Sequence, residues 1–195
     1  MSNNNFPAFN YKEQSKEIRS IISPSVFNPY SYVSSQLRKA YEFTIPKHLA
    51  GKNHLRVLDY GCGVKPYQYV VAGVCSEYIG ADIGDNPHAD CELYPGQLLP
   101  FDDESFDVVI SSQVLEHVEE FDKYMNECNR VLKKGGLLFL STHGTWQFHA
   151  APYDFNRWTH LGLKSLLSRH GFEVIDCYPV LGQLAVPTQL RLAFF

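Results

Sequence analysis

From Leu55 onward the chain alternates short apolar runs with stretches whose apolar residues recur every three or four positions. "LRVLDY" reads as a strand, "KPYQYVVAGV" as a helix and "EYIGAD" as a second strand. "HADCEL" is a third, shorter strand. "FDVVISS", with its continuous Val-Val-Ile run, is a fourth strand buried on both faces. Phe121, Tyr124, Met125, Cys128, Val131 and Leu132 then make an apolar stripe on a helix, which "KKGG" closes with late positive charge and a glycine cap. "LLFLST" is a fifth strand. After an irregular segment, Thr159 caps the helix "HLGLKSLLSRHG", and "FEVIDCY" is a sixth strand.

Upstream, residues 1–28 are polar and punctuated by Pro7 and Pro24, and read as a loosely packed lead. Residues 29–50 hold a cap helix, with Val33, Leu37, Ala40, Tyr41 and Thr44 at helical spacing and Pro46 as its stop. Residues 51–195 form the main domain. Its ending, "LGQLAVPTQLRLAFF", is apolar to the last residue and reads as a chain that stops before a final strand.

Strands alternating with helices at this spacing imply β-α-β units, hence an α/β fold: a doubly wound, mostly parallel sheet with helices on both faces. A length of 195 residues, 45% apolar and 19% charged, fits one soluble domain with a real core. The net charge of -4 and the lack of a basic run give no reason to expect nucleic acid. No run approaches the ~18 apolar residues of a membrane span. The N-terminus has no basic segment ahead of an apolar one, so a cytoplasmic location is expected. Five scattered cysteines without a C-x-x-C pair read as reduced thiols. Oligomeric state is not written in the sequence, and a homo-oligomer stays open.

Ligands of an open parallel sheet bind beyond the carboxyl ends of its strands. "DYGCGVKP" lies at such an end, where Gly61 and Gly63 permit positive φ and let backbone lie against a ligand. Asp59 stands two residues ahead, and Asp82 ends the second strand 23 residues after it, placed to take ribose hydroxyls. A dinucleotide loop would be G-x-G-x-x-G, but its last position here is Pro66. The pattern suits a cofactor with a positive charge and one nucleoside. A nicotinamide-dependent oxidoreductase and a non-catalytic binding module are the alternatives.

Four stretches, "VLDYGCG", "YIGADI", "LPFDDESFDVVISSQVLEHV" and "NRVLKKGGLLFLST", resemble in order the motifs of a class I S-adenosylmethionine-dependent methyltransferase, most of all the type 11 family. The resemblance runs from about Leu55 to Tyr178. It implies a Rossmann-like fold, S-adenosyl-L-methionine as cofactor and S-adenosyl-L-homocysteine as product. Asp59, Gly61 and Gly63 would line the methionine part, Asp82 would hold the ribose hydroxyls and Ile83 would pack on adenine. Glu92 or Asp90 would meet the adenine amino group, and Gln113 would lie beside the methionyl end. The family fold closes with an antiparallel hairpin.

The acceptor side is expected in "THGTWQFHAAPYDFNRWT", a loop dense in polar and aromatic residues at the ligand end of the sheet. His149 is the candidate base for a hydroxyl acceptor. Asp154 would orient it or bind acceptor hydroxyls, and Arg157 would clamp a carboxylate or phosphate; alternatively the two pair to pin the loop. The segment resembles bacterial type 11 enzymes of cell-surface glycan pathways, which implies a small-molecule acceptor related to a sugar. "QVLEHV" departs from the Glu-x-x-Glu-His of metal-binding relatives by Gln113, so no metal is expected there, and His117 reads as a pocket wall or helix start. Tyr32, Arg38 and Tyr41 of the cap helix are placed to reach an acceptor.

Overall fold

The computed structural model describes residues 14–150, 153–182 and 184–193. Its elements are α1 (Lys16–Ile22), α2 (Ser31–Leu49), β1 (Leu55–Tyr60), α3 (Gln68–Val71), β2 (Cys75–Ile83) and β3 (Cys91–Leu93). There follow β4 (Phe106–Ser112), a 3-10 turn (Leu115–His117), α4 (Phe121–Val131), β5 (Leu132–Ser141), α5 (His160–Arg169) and α6 (Ala185–Ala193). No helix among the described residues is long and apolar enough to cross a membrane. The chain divides into two compact units: described residues within 1–54, 64–76 and 178–195 form one, and 55–63 with 77–177 form the other.

In the first unit the described part of the lead forms a capped helix. Ser15 caps α1 by accepting a hydrogen bond from Ile18 N at 3.2 Å, and Ile22 is completely buried. The first 13 residues of the lead lie outside the described residues. Helix α2 does not stop at Pro46 but runs on to Leu49. Ile45 and Leu49, four apart on one face, are both completely buried, and their burial offsets the hydrogen bond that proline cannot donate. Arg38 pairs with Glu42 at 2.6 Å, and Tyr69 donates to the same carboxylate at 2.9 Å. Within the apolar ending, residues 185–193 form α6, whose Gln189 donates to Pro29 O at 2.6 Å.

The second unit carries the sheet, in the order β3-β2-β1-β4-β5. The pairs β1–β4, β2–β3 and β4–β5 run parallel, with Asp59 beside Ile110 and Asp82 beside Glu92. Met125, Cys128 and Val131 of α4 are completely buried against Leu58, Val109 and Phe106, as the apolar stripe requires. Three local expectations fail. "KKGG" is not a helix cap: it lies inside β5, where Leu132 pairs with Phe106 but Leu137 pairs with Val108. The extra residues bulge out, Gly135 takes φ +75°, and a Cβ on Gly136 would come within 2.8 Å of Lys133 O. In the first unit, "KPYQYVVAGV" shrinks to the single turn α3.

"FEVIDCY" forms no strand. Phe172 and Val174 pack on the core while Glu173 and Ile175 face solvent, so the alternation is real. A ladder needs a neighbouring strand edge, however, and none among the described residues bonds to this segment.

Candidate active site

At the exits of β1 and β2 the two glycines do different work. Gly61 has φ +82° and donates to Ala81 O at 2.8 Å, and a Cβ there would lie 2.4 Å from Val114 Cγ2. Gly63 also has positive φ, +50°, but a Cβ there would meet nothing within 4 Å. The first glycine makes room for protein; the second opens onto free space. Asp59, only 3% exposed, accepts from the Tyr78 hydroxyl at 2.6 Å.

Asp82 gathers three donors. Its Oδ2 accepts from Gly63 N at 2.8 Å and Asn86 Nδ2 at 2.7 Å, and its Oδ1 accepts from Ile83 N at 2.8 Å. Asn86 Nδ2 also donates to Gly63 O at 2.8 Å. Sequence reasoning missed Asn86, whose only signal is a polar side chain four residues past Asp82. Ile83 leaves 42% of its surface exposed beside this carboxylate. Asp90 is turned back to accept from Gly80 N at 2.7 Å, whereas Glu92, next to Asp82 in the sheet, is exposed. Gln113, at φ +57°, faces β5: its N donates to Ser141 O at 2.9 Å and its Nε2 to Ser141 Oγ at 3.0 Å.

Beyond β4 and β5 the structure brings together a group the sequence did not rank. Glu116 is completely buried; its Oε2 accepts from Thr142 Oγ1 at 2.8 Å, and its Oε1 has no hydrogen-bond partner among the described residues. That oxygen faces His143 Nδ1 at 3.5 Å and His117 Nε2 at 3.9 Å. Burial pushes the Glu116 pKa up, against the pull of its hydrogen bonds and of His117 and Arg157. Burial, then Arg157, His149 and His117, pushes His143 down to about 4, with Asp154 opposing. His117 Nδ1 lies 2.5 Å from Tyr153 O. His149 is exposed, its ring centroid 5.6 Å from that of His117 and 6.0 Å from that of His143. No three His, Cys, Asp or Glu side chains among the described residues are grouped to hold a metal ion.

Asp154 and Arg157 are joined by a two-pronged ion pair. Asp154 also accepts from His149 N at 2.6 Å, and Arg157 donates to Gln147 O at 2.6 Å and Asn156 O at 2.8 Å. Hydrogen bonds from Arg157 pull the Asp154 pKa down to about 2. These charges are thus directed at the loop's own backbone. The loop is sewn to the Glu116 carbonyl through Phe155 N at 2.9 Å and Asn156 N at 3.2 Å. In the other unit, Arg38 is held by Glu42, Tyr41 stacks on Tyr67 with centroids 4.3 Å apart, and Tyr32 is exposed.

A parallel sheet of this strand order, with an acid and a glycine loop at β1 and an acid at the end of β2, resembles the class I S-adenosylmethionine-dependent methyltransferase fold. The cofactor of that class is S-adenosylmethionine, and the residues present fit it: open space before Gly63, a half-buried carboxylate at Asp82 and an apolar side chain at Ile83. Residues 58–140 match the family described as "Methyltransferase domain". A protein of Mycolicibacterium smegmatis named as a probable S-adenosylmethionine-dependent methyltransferase is 33% identical over 135 residues, 62% of this chain and 52% of the relative. The ubiquinone biosynthesis O-methyltransferase of Sinorhizobium medicae is 30% identical over 130 residues, 60% of this chain and 52% of the relative. The chain therefore spans about half the length of these curated relatives. The crystal structure of an S-adenosylmethionine-dependent methyltransferase from Mesorhizobium loti has a TM-score of 0.57 at 19% identity, covering 81% of this chain and 93% of that one. That likeness concerns the fold.

Proposed function

We propose that the protein transfers a methyl group from S-adenosylmethionine to a hydroxyl of a small polar acceptor, a sugar or a cell-surface glycan precursor. The observation that carries the reading is the junction of β1 and β2, where Gly63 and Asn86 aim the Asp82 carboxylate beside open backbone. When bound, S-adenosylmethionine supplies a methyl group on a cationic sulfur. Asp82 accepts from the ribose hydroxyls, Ile83 covers adenine, and Glu92 takes the adenine amino group. Asp59, Gly61, Gly63 and Gln113 line the methionine part.

Displacement at a methyl carbon asks mainly for alignment, and positioning lowers such a barrier by ~7–11 kcal/mol. His149, exposed on the acceptor loop, is the base nearest solvent; Asp154 and Arg157 act as positioning residues that hold its backbone. A second acceptor, a phenol, is favoured by the exposed Phe148, Tyr153 and Phe155 of the same loop and by the O-methyltransferase name of the Sinorhizobium relative. Pro66 stands against a dinucleotide cofactor.

Transfer of a tritiated methyl group to a panel of free sugars, nucleotide sugars and catechols tests the reading. Label on a sugar hydroxyl is expected. Label on catechols alone selects the second acceptor, and label on none, with cofactor bound, defeats both.

A further inference from the structure

Glu116 is a fully buried carboxylate that the reading above does not use. Its Oε1 and the Nδ1 of His143 are both buried without a hydrogen-bond partner among the described residues, and they face each other at 3.5 Å. A second ring nitrogen faces the same oxygen: His117 Nδ1 donates to Tyr153 O, and its Nε2 lies 3.9 Å from Glu116 Oε1. A carboxylate oxygen and a ring nitrogen that both offer only lone pairs repel each other; a proton on either one makes a hydrogen bond. The donors are not grouped for a metal ion.

We infer that Glu116 and His143 form a shared site for one proton, filled when the acceptor gives up its own, and so act as the site's proton reservoir. The inference rests on the methyl-transfer reading for its use, not for its geometry. As the acceptor oxygen bonds to the methyl carbon, the carbon–sulfur electron pair returns to sulfur. The acceptor's proton passes to the histidine cluster and is taken up by the Glu116–His143 pair as a whole. Without the proton the pair carries a lone buried negative charge; with it the pair is neutral. Burial therefore favours uptake by the pair while opposing charge on either partner alone. Glu116 is a positioning residue, since it acts through His143. The other groups facing the pair are His117 beside Glu116, Thr142 after β5, and Arg157, Asp154 and His149 from the acceptor loop. Arg157 resists a cation at His143, which the Glu116 charge must outweigh.

The test is an NMR titration of the histidine rings of the whole chain, needing no acceptor. In Glu116→Gln the His143 ring is expected to titrate about one pH unit or more lower than in the unaltered protein, because a carboxylate within 4 Å favours the imidazolium. An unchanged His143 midpoint would overturn the inference. Should Glu116→Gln not fold, the Glu116 carboxyl is followed in His143→Gln: its midpoint is expected to rise, and no movement counts against the pair. Ring signals that change on adding a chelator would assign the lone pairs to a metal ion and overturn it as well. Binding of S-adenosylhomocysteine by the unaltered protein is measured beside these, so that failure of the cofactor reading is seen separately.

Discussion

The Asn86 amide nitrogen donates to the Asp82 carboxylate at 2.7 Å and to the Gly63 carbonyl at 2.8 Å, clamping the loops that follow β2 and β1 to each other. Hydrogen bonds to a charged group contribute about 1.5–3 kcal/mol. Asn86→Ala should therefore weaken S-adenosylhomocysteine about tenfold, since 1.4 kcal/mol is tenfold in affinity. Asn86 is half-buried, so the thermal midpoint should move little. Calorimetry and a melting curve on the same sample check both halves.

The two loop glycines should separate in the opposite sense. Gly61→Ala places a methyl 2.4 Å from Val114 Cγ2 at φ +82° and should lower the melting temperature markedly or prevent folding. Gly63→Ala meets no atom within 4 Å and carries only the cost of a left-handed residue, about 1–2 kcal/mol. Its loss should appear as weaker cofactor binding in a folded protein. Circular dichroism melts of the two variants decide the matter.

Acid should release the acceptor loop. The Asp154 pKa is depressed to about 2 in the folded protein, below the ~3.9 of a free aspartate. Its stabilisation is thus complete above pH ~4 and is lost as pH falls through the folded value. Both tryptophans, Trp146 and Trp158, lie in this loop region, so their fluorescence reports it. The unaltered protein should keep its emission down to pH ~4, whereas Asp154→Asn should show the released emission already at neutral pH. Equal emission in the two proteins at pH 7 would mean that the ion pair does not hold the loop.

The sheet was legible because its strands announce themselves through local patterning: "LRVLDY" and "FDVVISS" are buried in the structure as their apolar runs require. Errors fell where a non-local partner decides the outcome. "FEVIDCY" alternates like a strand but finds no edge to bond among the described residues, and "KKGG" became a bulge because β4 and β5 realign across it. Pro46 failed as a stop because burial of Ile45 and Leu49 carries the helix past it. Asp59, Gly61, Gly63 and Asp82 stand at the exits of β1 and β2, where a strand-loop-strand pattern places them. The Glu116–His143 contact joins residues 27 apart on different strand exits, and nothing periodic links them. Asp154 and Arg157, three apart in the loop, were readable as a pair.

Calorimetric titration of S-adenosylhomocysteine, beside nicotinamide adenine dinucleotide, into the protein and into Asp82→Ala is the most direct test of the central claim. Binding of the first ligand alone, weakened at least tenfold by the substitution, is the predicted result; tenfold corresponds to about 1.4 kcal/mol. A folded protein that binds neither ligand, or binds S-adenosylhomocysteine equally well without the Asp82 carboxylate, would contradict the account.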